Sequence, residues 1–267
     1  MSLSRAWADL KTTDFARMDA QRTVAVLPLG ATEQHGPHLP LDVDTAIAQG
    51  IVAAALPRVP AGVPVLVLPA QAIGYSPEHA AFEGTLTLPY ETVLANWIAI
   101  GEGVARAGVK KLLLFNAHGG QSSLMDIAAR ELRGRGLIVY RCDWWNLPLG
   151  DEVRQLFSAD EHRFGVHGGE IETSLMLALA PQAVDMSKAQ EFASTSRDRA
   201  DRFPVMGQSA KLGWHMHDYN PSGAAGNAKA ATAEKGHALL DATSLALATL
   251  LLEISELALS TLAERPR

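Results

Sequence analysis

The chain is poor in several residue types that mark common protein classes. It has one cysteine, Cys142, so an intrachain disulfide is impossible and a reducing, cytoplasmic setting is expected. Basic residues are outnumbered, 23 Lys and Arg against 29 Asp and Glu, for a formal net charge of −6. A dedicated nucleic-acid binder would carry a basic stripe instead, so no nucleic-acid partner is expected. The start of the chain lacks a basic segment leading into an apolar one, and no secretory signal is expected. The most apolar stretch, 244–252, falls far short of the roughly 20 residues of a membrane span, so no membrane partner is expected. Missing too are Gly-x-Gly-x-x-Gly, a phosphate-binding Gly-Lys-Ser/Thr loop, a Gly-x-Ser-x-Gly elbow and His-Glu-x-x-His.

What is present is a core. Hydrophobic residues make up 48% of the 267, ample for one large α/β domain and too many for a disordered chain. Short runs at 24–29, 63–68, 111–115 and 137–142 are rich in Val, Leu and Ile without polar alternation. That pattern predicts strands covered on both faces. Helical patterns lie between them, at 45–55 before Pro57, at 90–107 between Pro89 and Gly108, and at 122–133 before Gly134. This alternation predicts an α/β fold with a mostly parallel central sheet and flanking helices. Further on, 170–180 and 230–264 read as helices, whereas 190–226 is polar and keeps no period. Unpatterned segments of that length are usually functional or oligomer-forming.

Polar residues gather just after the strands. The run 24–29 leads into Glu33, His35, His38, Asp42 and Asp44, and 111–115 leads into Asn116, His118, Gly119, Gly120 and Gln121. In a parallel sheet both loops fall at the carboxyl edge, where open α/β folds place ligands. A third cluster, His167-Gly-Gly-Glu170-Ile-Glu172, opens the 170–180 helix, and a fourth holds Ser76, Glu78, His79, Phe82 and Gly84. Glu33, His35, Asp44, His118 and Glu170 together offer three carboxylates and two imidazoles. That donor set suits Zn²⁺, Mn²⁺ or Fe²⁺. With one bridging carboxylate it suffices for two metals about 3.5–4 Å apart, able to hold a bridging hydroxide.

Each cluster has a plainer explanation when taken alone. Glu33-x-His35 is a weak pair, a loop histidine such as His118 is often only hydrogen-bonded, and Glu170 and Glu172 suit a helix N-terminus. Convergence on one sheet edge is what favours a site. His237 reads as a surface or satisfied histidine, and Cys142 as a small buried hydrophobe. Trp144 and Trp145 are compatible with covering a pocket or an interface, and His215 and His217 with lining the pocket or lying outside it.

The segment from Pro28 to Thr45, with Gly30, Glu33, His35, Gly36, His38 and Asp44, closely resembles the signature of the creatininase (creatinine amidohydrolase) family. Later segments match in order: Gly74 to His79 with Phe82 to Thr85, Asn116 to Gly120, His167 to Ser174, and Gly223 to Gly236. The resemblance implies one metal-dependent hydrolase domain over 1–267 with a three-layer α/β/α sandwich, commonly a hexamer. It implies Glu33 and His118 on one metal, His35 on the other, and Asp44 between them. In creatininase proper the remaining carboxylate comes two residues after the motif histidine, where this chain has Gly120, so it resembles the Gly-Gly branch of formamide deformylase and mycofactocin-type members instead. Relatives with Gly-Gly there carry a later glutamate, which implies Glu170 as fifth ligand. His167 matches the catalytic histidine with Glu172 beside it, and Glu78, His79, Gly119 and Gly120 are expected at the substrate. The implied activity is hydrolysis of a non-peptide C–N bond, in a cyclic amide or formamide, through a metal-bridging hydroxide. Creatinine hydrolysis, peptide trimming of the mycofactocin type and a non-catalytic metal-tied scaffold are the alternatives.

Overall fold

The computed structural model describes residues 4–262. Four strands, β1 (Val24–Leu29), β2 (Val65–Val67), β3 (Lys111–Asn116) and β4 (Ile138–Asp143), pair in parallel in the order β2-β1-β3-β4. The helices are α1 (Val43–Ala55), α2 (Tyr90–Arg106), α3 (Ser122–Gly134), α4 (Asp151–Arg154), α5 (Ala159–Phe164), α6 (Glu170–Leu179), α7 (Thr195–Arg202), α8 (Pro204–Ser209), α9 (Met216–Tyr219) and α10 (Ala233–Glu256). A short antiparallel pair, β5 (Glu191–Phe192) with β6 (Gly226–Asn227), closes the second-half loop.

Side chains of β1 alternate between two cores. Val24 and Val26 pack with Ile47 of α1, Leu175 of α6, and Leu247 and Leu251 of α10. Ala25, Leu27 and Leu29 pack with Trp97 of α2 and with Met125 and Leu132 of α3. Both faces of the central strands are therefore apolar, which explains runs with no polar alternation. The result is an α/β/α sandwich. The expectation of two covered faces fails only for β4, where Tyr140 is 43% exposed. That strand ends the sheet order, and its Arg141 reaches Asp126 of α3 at the surface, 2.7 Å away. Charge on an edge strand also discourages pairing with another chain.

The apolar stretch that looks short in sequence lies within α10, a 24-residue helix apolar enough to cross a membrane by length and composition. Its Leu239, Leu247, Leu251 and Ile254 are instead buried in the core beside α1 and α6. The unpatterned 190–226 segment contains α7, α8 and α9, the longest of them 8 residues.

Strand order also sets the candidate ligand edge. The chain leaves β1 for β2 on one side and returns to β3 on the other side of β1. Loops after β1 and β3 thus diverge, the arrangement in which open α/β folds form their ligand crevice at the carboxyl ends of the strands.

Candidate metal centre

The loop after β1 carries Glu33, Gln34 and His35 into the crevice, the loop after β3 brings His118, and α1 brings Asp44 in its first turn. A carboxylate in that turn is favoured by the helix dipole. All five are buried, with 6% or less exposed.

Asp44 lies between two imidazoles. Its Oδ1 is 3.3 Å from His35 Nε2, and its Oδ2 is 3.4 Å from His118 Nδ1. Glu33 Oε1 is 3.2 Å from the same His118 nitrogen. The outer nitrogens are anchored to the backbone: His35 Nδ1 donates to Glu33 O at 3.0 Å, and His118 Nε2 to Tyr75 O at 2.9 Å. An imidazole whose outer N–H is held by a carbonyl presents its inner lone pair, the arrangement typical of metal-ligating histidine. Glu33 Oε2, His35 Nε2 and Asp44 Oδ2 are buried without a hydrogen-bond partner. Ligand atoms of these three residues lie within 4.8 Å of one another.

The His118 loop is pinned from behind. Asn116 Oδ1 accepts from His118 N at 3.1 Å and from Gln121 Nε2 at 2.9 Å, while its Nδ2 donates to Asp143 at 2.7 Å. Asn116 opens a segment that matches the family, but neither Gln121 nor Asp143 stands out in the sequence as more than a polar residue near a strand end.

From the other side, α6 brings Glu172, which groups with His35 and His167 within 4.8 Å. Glu170 does not join them. Its Oε1 pairs with Lys235 Nζ of α10, and its backbone N–H donates to the buried Glu161 at 2.6 Å. Residues two apart on a helix lie about 200° apart around its axis, so only one of the two glutamates can face the crevice. The glutamate expected as fifth ligand is the one turned away. Glu161 was not singled out from sequence, yet it also accepts from Ile171 and Asn227 N–H groups and so anchors the start of α6.

His167 stacks between His35 and His79, with ring centroids 4.1 Å from each. His79 Nε2 is 3.4 Å from Glu33 Oε1. Glu78 lies against the outer edge of His118, its Oε1 3.6 Å from Nε2. Gly119 and Gly120 form an exposed turn beside it. A β-carbon on Gly120 would run into the Glu78 carboxylate and into His118 Nε2. Trp214 meets the His79 ring edge-on at 6.2 Å. Its neighbours His215 and His217 stack on each other and are exposed. Trp144 is buried in the core, and Trp145 is 41% exposed.

Electrostatics divide the imidazoles into two kinds. Burial disfavours a charged His35, but Asp44 with Glu172 and Glu33 together outweighs it and the pKa is pushed up to about 9. His118 is likewise raised, since Glu33 and Asp44 overcome its burial. Asp44 is held low against its own burial by those two histidines. Burial pushes the Glu172 carboxyl up to about 7, opposed by His35 and reinforced by Asp44. His79 and His167 stay neutral: burial brings His79 down to about 4, and burial with His35 and His79 nearby takes His167 well below its ordinary value. Buried carboxylates and inward lone pairs of this kind attract a cation.

The family profile described as creatinine amidohydrolase matches residues 8–251. The chain belongs to the creatininase family. Creatinine amidohydrolase of Pseudomonas putida is 30% identical over 240 residues, covering 85% of this chain and 87% of that protein. The mycofactocin precursor peptide peptidase of Mycobacterium tuberculosis (strain CDC 1551 / Oshkosh) is 32% identical over 226 residues, 81% of this chain and 80% of its own. Among solved structures, "Creatininase Mn" matches with a TM-score of 0.73 at 29% identity, covering 94% of this chain and 98% of its own. A creatininase variant of "Zn-Zn type" matches equally, again with a TM-score of 0.73. These creatininase-family relatives are hydrolases, and the donor set of this chain fits divalent ions of the same kind.

Proposed function

We propose that the chain is a two-metal amidohydrolase that cleaves the C–N bond of a small non-peptide amide, a cyclic amide or a formamide. The observation that carries this reading is the trio of buried, partnerless atoms, Glu33 Oε2, His35 Nε2 and Asp44 Oδ2. Orphaned polar atoms cost about 1–3 kcal/mol each unless something satisfies them, and three on residues whose ligand atoms come within 4.8 Å of one another suit a cation. Glu33 and His118 would hold one ion, His35 and Glu172 the other, with Asp44 shared. Glu172 takes the place expected of Glu170, because Glu170 is engaged with Lys235. Ions such as Zn²⁺ or Mn²⁺ supply a water acidified to neutral pH and an electrophile for a carbonyl oxygen.

The chain's own residues handle the proton. His167 donates Nε2–H to Gln34 O at 2.6 Å, which leaves the lone pair on Nδ1. That atom accepts the proton of the attacking water and returns it to the leaving nitrogen. A neutral imidazole is needed for the first half of this task, and burial keeps His167 neutral. Glu78, His79 and Trp214, which lie beside these histidines, would orient the substrate.

Gly120 leaves no carboxylate two residues after His118, which favours amides other than creatinine. Peptide cleavage is the second reading, favoured by the 32% identity to a peptide peptidase. Plasma mass spectrometry on protein purified without added metal or chelator is expected to give two divalent ions per chain. No metal, and none taken up from Zn²⁺ or Mn²⁺, overturns the proposal. Turnover of formamides or cyclic amides, but not of short peptides, selects the first reading over the second. We also infer a homo-oligomer, hexameric by family resemblance, supported by exposed Phe203, Val205, Met206 and Leu212. A monomer mass in light scattering overturns that inference.

A further inference from the structure

Between Glu33 and His35 lies Gln34, buried like them at 6% exposed. Its amide is oriented without ambiguity. Gly36 N–H donates to Oε1 at 3.0 Å, so the oxygen is the acceptor end and Nε2 the donor end. Nε2 stands 2.8 Å from His79 Nδ1. A donor at that distance requires a lone pair on Nδ1, so the proton of a neutral His79 sits on Nε2. That nitrogen lies 3.4 Å from Glu33 Oε1. The main chain of the same residue fixes a second ring, since Gln34 O accepts from His167 Nε2 at 2.6 Å. The 3.3 Å approach of Gln34 Nε2 to that nitrogen brings two donors together and makes no bond. His167 therefore turns Nδ1, with its lone pair, towards Glu33.

Placement of the amide is enforced by its surroundings. Gln34 N–H donates to Thr85 Oγ1 at 3.1 Å. Gly223, at φ +80°, passes so close that a side chain there would collide with Gln34 Oε1 and with Phe82.

We propose that Gln34 is a positioning residue that sets opposite roles for two stacked histidines, His79 presenting an N–H to the crevice and His167 a lone pair. The consequence is a sorting of imidazoles. Glu33, His79 and His167 come within 4.8 Å and could by distance alone hold a metal. With its proton on Nε2, His79 has no lone pair to offer there. It is a hydrogen-bond donor, suited to a substrate carbonyl oxygen as negative charge develops on it. This inference rests on the role proposed above for His167.

Nitrogen-15 NMR of histidine-labelled protein, metal-free and zinc-loaded, reads the tautomer of each ring directly. In the wild type, His79 and His167 are both expected with protonated Nε2 and an unprotonated signal at Nδ1. A wild-type His79 protonated at Nδ1 overturns the proposal without need of any variant. Gln34→Glu replaces the donor end by an acceptor, so His79 is expected to move its proton to Nδ1. Metal content should stay at the wild-type value while kcat falls by roughly 10²-fold, as for the loss of one oxyanion donor. A folded Gln34→Glu protein whose His79 remains protonated at Nε2 also overturns it. Failure of the metal reading shows separately, as protein that takes up no divalent ion while the wild-type tautomers stand.

Discussion

Glu78 fills the space that a side chain on Gly120 would need. Its carboxylate lies over Gly120 and against Nε2 of His118, with Oε1 3.6 Å from that nitrogen. The two positions come from different loops, so each constrains what the other can be. Gly120→Ala drives a methyl group into both neighbours and is expected to weaken zinc binding by about 10-fold, as disturbed support of a ligating histidine does. Removing the obstacle in Gly120→Ala/Glu78→Ala should recover part of the loss. Calorimetric zinc titration of the two proteins checks this; equal affinities in Gly120→Ala and wild type would refute it.

Glu170 and Glu172 separate stability from metal binding. Glu172→Gln is expected to cost the second ion while leaving the fold intact. Glu170→Ala should keep both ions but leave Lys235 without its carboxylate, costing about 1–3 kcal/mol. Metal content together with urea unfolding distinguishes them, and loss of metal in Glu170→Ala would restore it as a ligand.

Protons compete with the cation at His35. In the metal-free protein its pKa, ordinarily 6.5, is pushed up to about 9 because the carboxylates of Asp44, Glu172 and Glu33 together outweigh burial. Apparent metal affinity should therefore rise with pH until about pH 9 and then level off. The same raised value stabilises the metal-free fold below the ordinary pKa, a contribution lost as pH climbs through about 9. Melting temperature of the metal-free protein should accordingly fall across that upper range. Affinity that stays flat with pH would contradict the assignment of His35.

His167→Ala tests the proton carrier. It is expected to lower kcat by roughly 10²–10⁴-fold, the usual size of acid–base catalysis, while metal content stays unchanged. Loss of metal along with activity would make His167 a ligand instead.

Much of the site was legible because its residues cluster in short segments. Strands with no polar alternation announce a sheet covered on both faces, and the β1 and β3 runs are found at nearly the expected positions. The loops that follow must then share the carboxyl edge, which is why Glu33, His35, Asp44 and His118 converge. Choosing between Glu170 and Glu172 required the helix phase and the position of Lys235, which is 65 residues away from Glu170. Gln34 escaped notice because an amide shows its importance only through the orientation its neighbours impose. Trp214 escaped because the 190–226 segment keeps no period, and only its folded path brings that ring to His79.

The sequence by itself determined the α/β architecture, the sheet edge that carries the candidate site and the donor types gathered there, since hydrophobic period and motif are local properties of the chain. Tertiary structure alone decided which glutamate faces the crevice, that Glu78 covers Gly120, and how Gln34 orders its histidines. Those outcomes depend on contacts between distant segments, and on hydrogen-bond directions that form only when the segments pack.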